Sequence, residues 1–211
     1  MKIHKIGHNC FVFEKDGTRM LTDPGNLTSG QTDEKDLDVV LITHIHADHL
    51  DIETFKKVLE NNPGVNIVGN REVVDMLSKE GIEASLIKDQ EEMELGSFKV
   101  QAHETDHHAI YEGIPLPRNT GFLIDEKVFL SGDAMEVIIK NLDLLGIPIG
   151  APFAGMSDFI EYGKKVSPKK AMPAHDGNLK ELGPFARVPQ MLFEKMGIEY
   201  IPMEGGDSLE I

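Results

Sequence analysis

Along the first third of the chain, apolar residues come in short blocks separated by turn formers, and the blocks have the length of strands. Residues 2–6, 9–14 and 19–22 read as strands with Asp16-Gly17 as a hairpin turn, and 39–43, Val-Val-Leu-Ile-Thr, as another after a polar loop. From Asp51 the period lengthens. Ile52, Phe55, Val58 and Leu59 share one helical face, Asp51 is placed to cap it, and Asn62-Pro63-Gly64 ends it. A strand at 66–68 and a helix at 71–79 follow, the helix capped by Asn70 and stopped by Gly81. Further on, 98–102, 121–124 and 128–130 read as strands, 158–165 as a helix, 170–173 as a strand, 189–196 as a helix and 199–202 as a closing strand. This alternation predicts mixed α/β structure with helices over more than one sheet face. With 211 residues and no repeat or linker, one domain spanning residues 1–211 is expected.

Composition narrows the class. Apolar residues make up 40% and charged residues 27%, the balance of a soluble globular protein. No apolar run approaches the roughly 18 residues of a membrane span, and the first residues lack the apolar stretch of an export signal. A cytoplasmic protein without a membrane partner is therefore expected. Cys10 is the only cysteine, which excludes an internal disulfide and a cysteine zinc site; any metal must be held by His, Asp or Glu. The formal charge of −15 repels phosphate backbones and disfavours nucleic acid as a partner. A small-molecule substrate stays compatible, because a bound divalent ion reverses the field locally. The sequence is equally compatible with a homo-oligomer.

The candidate chemistry concentrates after the strand at 39–43, where Thr43 to Leu50 read T-H-I-H-A-D-H-L. His44 and His46, two apart in extended backbone, point the same way and can share one ion. Asp48 and His49, beyond the small Ala47, can serve a second ion about 3.5 to 4 Å away, the spacing of two-metal hydrolytic sites. Imidazole with carboxylate suits zinc, manganese or iron better than calcium or magnesium. A lone His-x-His is more often a polar loop, and a structural zinc site closes with about four ligands. Here three histidines and an aspartate stand together, and more candidates follow other strands. Asp133, after Gly132, and His175, two residues before Gly177, lie near glycines that permit sharp turns.

H-I-H-A-D-H resembles the His-x-His-x-Asp-His signature of the metallo-β-lactamase-fold hydrolases. Leu21-Thr22-Asp23-Pro24-Gly25 is similar to that family's early strand-end aspartate motif, Ser131-Gly132-Asp133-Ala134 to its Gly-Asp segment, and Met172-Pro173-Ala174-His175-Asp176 to its terminal-histidine segment. Gly7-His8 and Ile147-Pro148-Ile149-Gly150-Ala151-Pro152 most resemble the branch that contains ascorbate-6-phosphate lactonase and zinc-dependent hydrolases. The resemblance implies an α/β fold, a four-layer αβ/βα sandwich of two mixed sheets flanked by helices, and two divalent metal ions, zinc before manganese or iron. It implies that His44, His46 and a third histidine hold one ion, that Asp48, His49 and His175 hold the other, and that Asp133 bridges them. His103, His107 and His108 are the candidates for the third histidine. The family pattern of a small residue after the ligand places it at His108, before Ala109, with His107 the nearer rival and His103 a pocket residue.

In such a site two cations lower the pKa of a shared water, and the implied reaction is hydrolysis of a small lactone, ester or phosphoester. Asp48 is the expected catalytic proton acceptor as well as a ligand. Asp23 is expected to orient the ligand loop through hydrogen bonds, His8 to face the pocket or to pack at a turn, and Arg118 to meet an anionic substrate group. Three other classes compete. A nucleic-acid phosphodiesterase or ribonuclease-like enzyme would want a basic patch, which the chain lacks. A non-catalytic metal-binding protein could share the fold. Di-iron redox members are similar in fold but typically carry Glu where this chain has His46.

Overall fold

Continuous short apolar runs build two sheets whose central strands are buried on both faces, while their edge strands are partly exposed. The computed structural model describes residues 1–211. Its first sheet contains β1 (Lys2–Gly7), β2 (Cys10–Lys15), β3 (Thr18–Thr22), β4 (Val39–Ile42), β5 (Asn66–Gly69) and β6 (Ser85–Leu86) side by side. The second contains β7 (Glu92–Leu95), β8 (Phe98–Asp106), β9 (Arg118–Ile124), β10 (Val128–Leu130), β11 (Leu144–Pro148), β12 (Lys170–Ala174) and β13 (Glu199–Tyr200) in that lateral order. The last strand, β14 (Ser208–Glu210), returns to pair antiparallel with β1.

Alternation along each strand decides the layers. Val39 and Leu41 point into a cluster of 20 buried residues shared by both sheets, whereas Val40 and Ile42 point into a separate cluster of 12. That outer cluster is covered by α1 (Ile52–Asn61) and α2 (Arg71–Lys79). Phe129, Leu145 and Ile147 belong to a third cluster, covered by α3 (Met156–Val166) and α4 (Pro184–Glu194). Helices, sheet, sheet, helices is thus the layer order, and each fully buried Phe or Leu contributes roughly 1.5–3 kcal/mol. No helix is long and apolar enough to cross a membrane.

Both expected helix caps form: the Asp51 carboxylate accepts from the Thr54 N–H at 2.9 Å, and the Asn70 side chain accepts from the Val73 N–H at 3.1 Å. Four strands were not legible from pattern alone: β6, β7, β11 and β14. Gly146 and Pro148 interrupt the apolar pattern of β11, yet β11 lies centrally between β10 and β12; a Cβ on Gly146 would come within 2.8 Å of the Leu130 side chain. The expected helix at 189–196 begins earlier, at Pro184, with Pro189 inside it. Pro189 has no N–H for the Phe185 carbonyl four residues back, and the Tyr200 hydroxyl donates to that carbonyl instead, at 3.0 Å.

The site edge follows from strand direction. β1, β3 and β4 run parallel to one another, as do β8, β10 and β12. Their C-terminal ends meet on one rim of the sandwich, where His175 N–H donates to the His8 carbonyl at 3.1 Å and Thr120 N–H to the Thr43 carbonyl at 2.9 Å. These bonds tie the two sheets together under the site.

Candidate metal centre

After β4 the chain enters a tight turn in which the N–H groups of His49 and Leu50 both donate to the His46 carbonyl, at 2.9 and 2.8 Å. The loop after β3 passes directly against it. A Cβ on Gly25 would lie 1.9 Å from the Asp48 carbonyl oxygen, so glycine is required by the close approach. Three residues near strand ends at this rim hold left-handed backbone without being glycine: His8 (φ 47), Asp23 (φ 37) and His175 (φ 57). Such conformations cost of order 1 kcal/mol or more each and concentrate where function needs them.

Two groups of ligating atoms result, each lying mutually within 4.8 Å: His44, His46, His107 and Asp133, and His8, Asp48, His49 and His175. The Asp133 carboxylate touches both. Its Oδ2 lies 3.2 Å from His107 Nε2 and 3.1 Å from His175 Nε2, and its Oδ1 lies 3.2 Å from His49 Nε2.

The back of each ring shows which nitrogen is free. His49 Nδ1 donates to Asp23 at 2.8 Å, and His107 Nδ1 donates to the His108 carbonyl at 2.7 Å. The Thr43 hydroxyl donates to Asp23 at 2.8 Å and accepts from His44 Nδ1 at 3.0 Å. Once neutral, each of these three rings therefore presents its lone pair at Nε2. His49 Nε2, His107 Nε2, both His175 nitrogens and Asp133 Oδ1 are buried and have no hydrogen-bond partner. Buried polar atoms are rarely left so, and a convergent set of imidazole and carboxylate lone pairs fits divalent metal ions.

Charge accumulates accordingly. Burial opposes the ionised form of Asp133, but the His49 and His175 charges prevail and hold its carboxyl well below the usual range. Burial likewise opposes protonation of His175, yet Asp133 raises it to about 9. His49 is raised for the same reasons, with Asp23 adding to Asp133. Around His44 burial dominates, helped by the neighbouring His49, and its pKa falls well below 6.5. Because metal ligands must be deprotonated, zinc added to the metal-free protein should release protons at neutral pH, and its apparent affinity should climb as pH rises toward about 9. In chelator the sign reverses. The His175–Asp133 attraction stabilises the fold fully below the unfolded histidine pKa of about 6.5 and is lost as pH rises through about 9, which a series of melting curves would read.

The expected residues His44, His46, Asp48, His49, Asp133 and His175 are all brought together. His108 is not. β8 continues to Asp106, and the next residue, His107, turns inward and is 3% exposed. His108, one position on, faces the other way, its Nδ1 3.3 Å from Glu136 on a groove lined also by Met135, Ile138 and Tyr162. We expect His107→Ala to lose metal from the first group and His108→Ala to retain it, as elemental analysis per chain would show. Arg118 pairs with Glu104, at 3.0 Å, and with Asp106 across the β8–β9 pair, outside both groups. His103 sits outside the cluster on the same strand pair, edge-on to Phe129.

Sequence reasoning missed Asn119, whose side chain accepts from the Asp133 N–H at 2.9 Å and donates to the Ser131 carbonyl at 2.9 Å. It also missed Phe153, whose ring lies 5.3 Å from those of His107 and His108 and 5.8 Å from that of His175. Neither carries a spacing signal, since each reaches the site from a distant strand or loop.

The family described as "Beta-lactamase superfamily domain" matches residues 2–175. The chain is 31% identical over 180 residues to Protein Rv0786c of Mycobacterium tuberculosis, across 83% of this chain and 84% of that one. It is 28% identical over 193 residues to a UPF0173 metal-dependent hydrolase of Carboxydothermus hydrogenoformans, with 83% and 84% covered. Among solved structures, Igni18, a metallo hydrolase from Ignicoccus hospitalis, superposes with a TM-score of 0.77 at 20% identity, covering 100% of this chain and 98% of that one. The finer likeness to the lactonase branch rests on the sequence motifs alone.

Proposed function

The chain belongs to the beta-lactamase superfamily domain family, and from that premise we propose that it is a metal-dependent hydrolase of small lactones, esters or phosphoesters. In this reading His44, His46, His107 and Asp133 would hold one divalent ion, and Asp48, His49 and His175, with Asp133 in reach, would hold the other. The observation that carries it is the position of Asp133, one carboxylate in reach of both groups of bare imidazole nitrogens. When bound, two ions, zinc foremost, supply Lewis acidity and lower the pKa of a water molecule.

The remaining work belongs to the chain. Burial opposes the charge on Asp48, but the imidazoles of His175 and His8 keep it ionised far below the usual carboxylate range. Ionised and placed among the ligating atoms of the second group, it is the carboxylate this reading assigns to receive a proton from the attacking water. Phe153 walls the cluster beside His107 and His175 and excludes solvent from that side. The net charge of −15 opposes a polyanion and leaves a small organic molecule as the favoured substrate.

The test combines metal content per chain with a panel of lactones, carboxyl esters, phosphomonoesters, phosphodiesters and single-stranded RNA. Near two ions per chain, with hydrolysis abolished by chelator and restored by metal, is expected. No uptake of zinc, manganese or iron would refute the reading, and turnover of RNA alone would replace it with the nuclease reading.

A further inference from the structure

His8 differs from three of the other cluster histidines in what its back nitrogen does. His44, His49 and His107 donate from Nδ1 and so free Nε2 as a lone pair. At His8 the direction is opposite. The backbone N–H of Gly177 donates to His8 Nδ1 at 3.0 Å, so Nδ1 holds the lone pair and the ring proton sits on Nε2. A protonated nitrogen has nothing to give a metal ion.

The geometry enforcing this is tight. A Cβ on Gly177 would lie 2.9 Å from His8 Nδ1 and 2.7 Å from the Leu27 carbonyl, so only glycine lets that backbone N–H approach the ring. The His8 carbonyl is itself taken by the His175 N–H at 3.1 Å, which fixes the ring's base beside the second group. The ring centroid lies 4.2 Å from that of His175.

What remains is Nε2–H, buried and without a partner. The nearest carboxylate oxygen, on Asp48, is 3.4 Å away, beyond the range of roughly 2.7–3.2 Å in which an N–H···O bond is well formed. A fixed N–H donor therefore points among the ligating atoms of the second group, with no acceptor of the protein's own within normal reach. Its complement is an oxygen atom that arrives from outside.

We propose that His8 is a hydrogen-bond donor and not a metal ligand, and that its Nε2–H grips the carbonyl or phosphoryl oxygen of the substrate as negative charge develops on it. The proposal rests on the hydrolase reading above and adds to it a catalytic residue from the far N-terminal end of the chain. A donor already oriented by Gly177 needs no reorganisation at the moment of reaction, which is the condition under which such contacts contribute most. Substrates without an acceptor oxygen on the reacting centre gain nothing from it, so it favours acyl and phosphoryl compounds.

The experiment uses the full chain labelled with nitrogen-15 histidine, metal-free and zinc-loaded, together with His8→Leu and His8→Gln. On zinc addition, His8 Nε2 should keep its proton, while the Nε2 resonances of His49, His107 and His175 move on metal binding. Zinc stoichiometry of His8→Leu should equal that of the wild type. On the best substrate of the panel its kcat should fall about 10²-fold with KM little changed, and His8→Gln, whose amide can donate, should recover part of the loss. Loss of the Nε2 proton on zinc addition, or one zinc fewer in His8→Leu, would make His8 a ligand and overturn the proposal. Unchanged kcat in His8→Leu would overturn the substrate contact. If His8→Leu does not fold, the spectra of the wild type and the kinetics of His8→Gln decide. A panel without any turnover defeats the hydrolase reading, whereas the spectra and the zinc count still separate donor from ligand.

Discussion

Asp133→Asn is expected to strip metal from both groups at once and to lower hydrolysis by at least about 10³-fold, the equivalent of roughly 4 kcal/mol in the barrier. Asparagine keeps the shape, and its backbone N–H still reaches the Asn119 side chain, so the fold should persist. What disappears is the negative charge that faces His49, His107 and His175 within 3.2 Å. The metal-free variant should show the same loss in another observable. Burial already disfavours the imidazolium form of His175, and without the Asp133 charge its pKa should fall from about 9. Elemental analysis and a histidine titration by NMR measure both effects. A variant that takes up two ions with wild-type affinity would show that Asp133 does not bridge.

The second large effect is expected at Asp23, which lies outside both groups and is fully buried. Its carboxylate accepts from the Thr43 N–H, the Thr43 hydroxyl and His49 Nδ1, each at 2.8 Å, and from the Asn9 side chain. Asp23→Ala leaves these donors unpaired in the interior at a cost of about 3–5 kcal/mol. For a chain of this size the melting temperature should fall by about 10 °C. The His49 ring also loses the bond that sets its tautomer, which typically costs 10–100-fold in metal affinity. The loss should therefore be selective. Competitive zinc titration should find the second group weakened directly through His49 and the first less so, since His107 is oriented by the His108 carbonyl and His44 reaches Asp23 only through the Thr43 hydroxyl. Equal weakening of both would show a collapse of the loop rather than the release of one ring.

Much of the site was legible because the ligands cluster by spacing. His44, His46, Asp48 and His49 sit within one turn after an apolar strand, and Asp133 and His175 each follow a strand end near glycine. Strand pattern also located the three strands that begin the first sheet, since a period of two survives whatever the partner strand is. β11 escaped because its Gly146 and Pro148 are selected by contact with Leu130 and by the parallel neighbours on either side, which no local pattern encodes. Arg118 looked free for a substrate because Glu104 and Asp106 become its neighbours only through the β8–β9 register.

By itself, the sequence determined the mixed α/β class, the two helix caps, the absence of cysteine ligands and the cluster of His44, His46, Asp48 and His49, because each depends on local periodicity, side-chain chemistry or short spacing. Asp133, His175 and the four-layer arrangement came from the family resemblance. Tertiary structure decided between His107 and His108: adjacent residues face opposite ways, and which faces inward depends on how far β8 stays paired with β9. It also decided what His8 can do. The proton on its ring is placed by a backbone N–H 169 residues away, a contact that exists only once the first and second sheets have packed together.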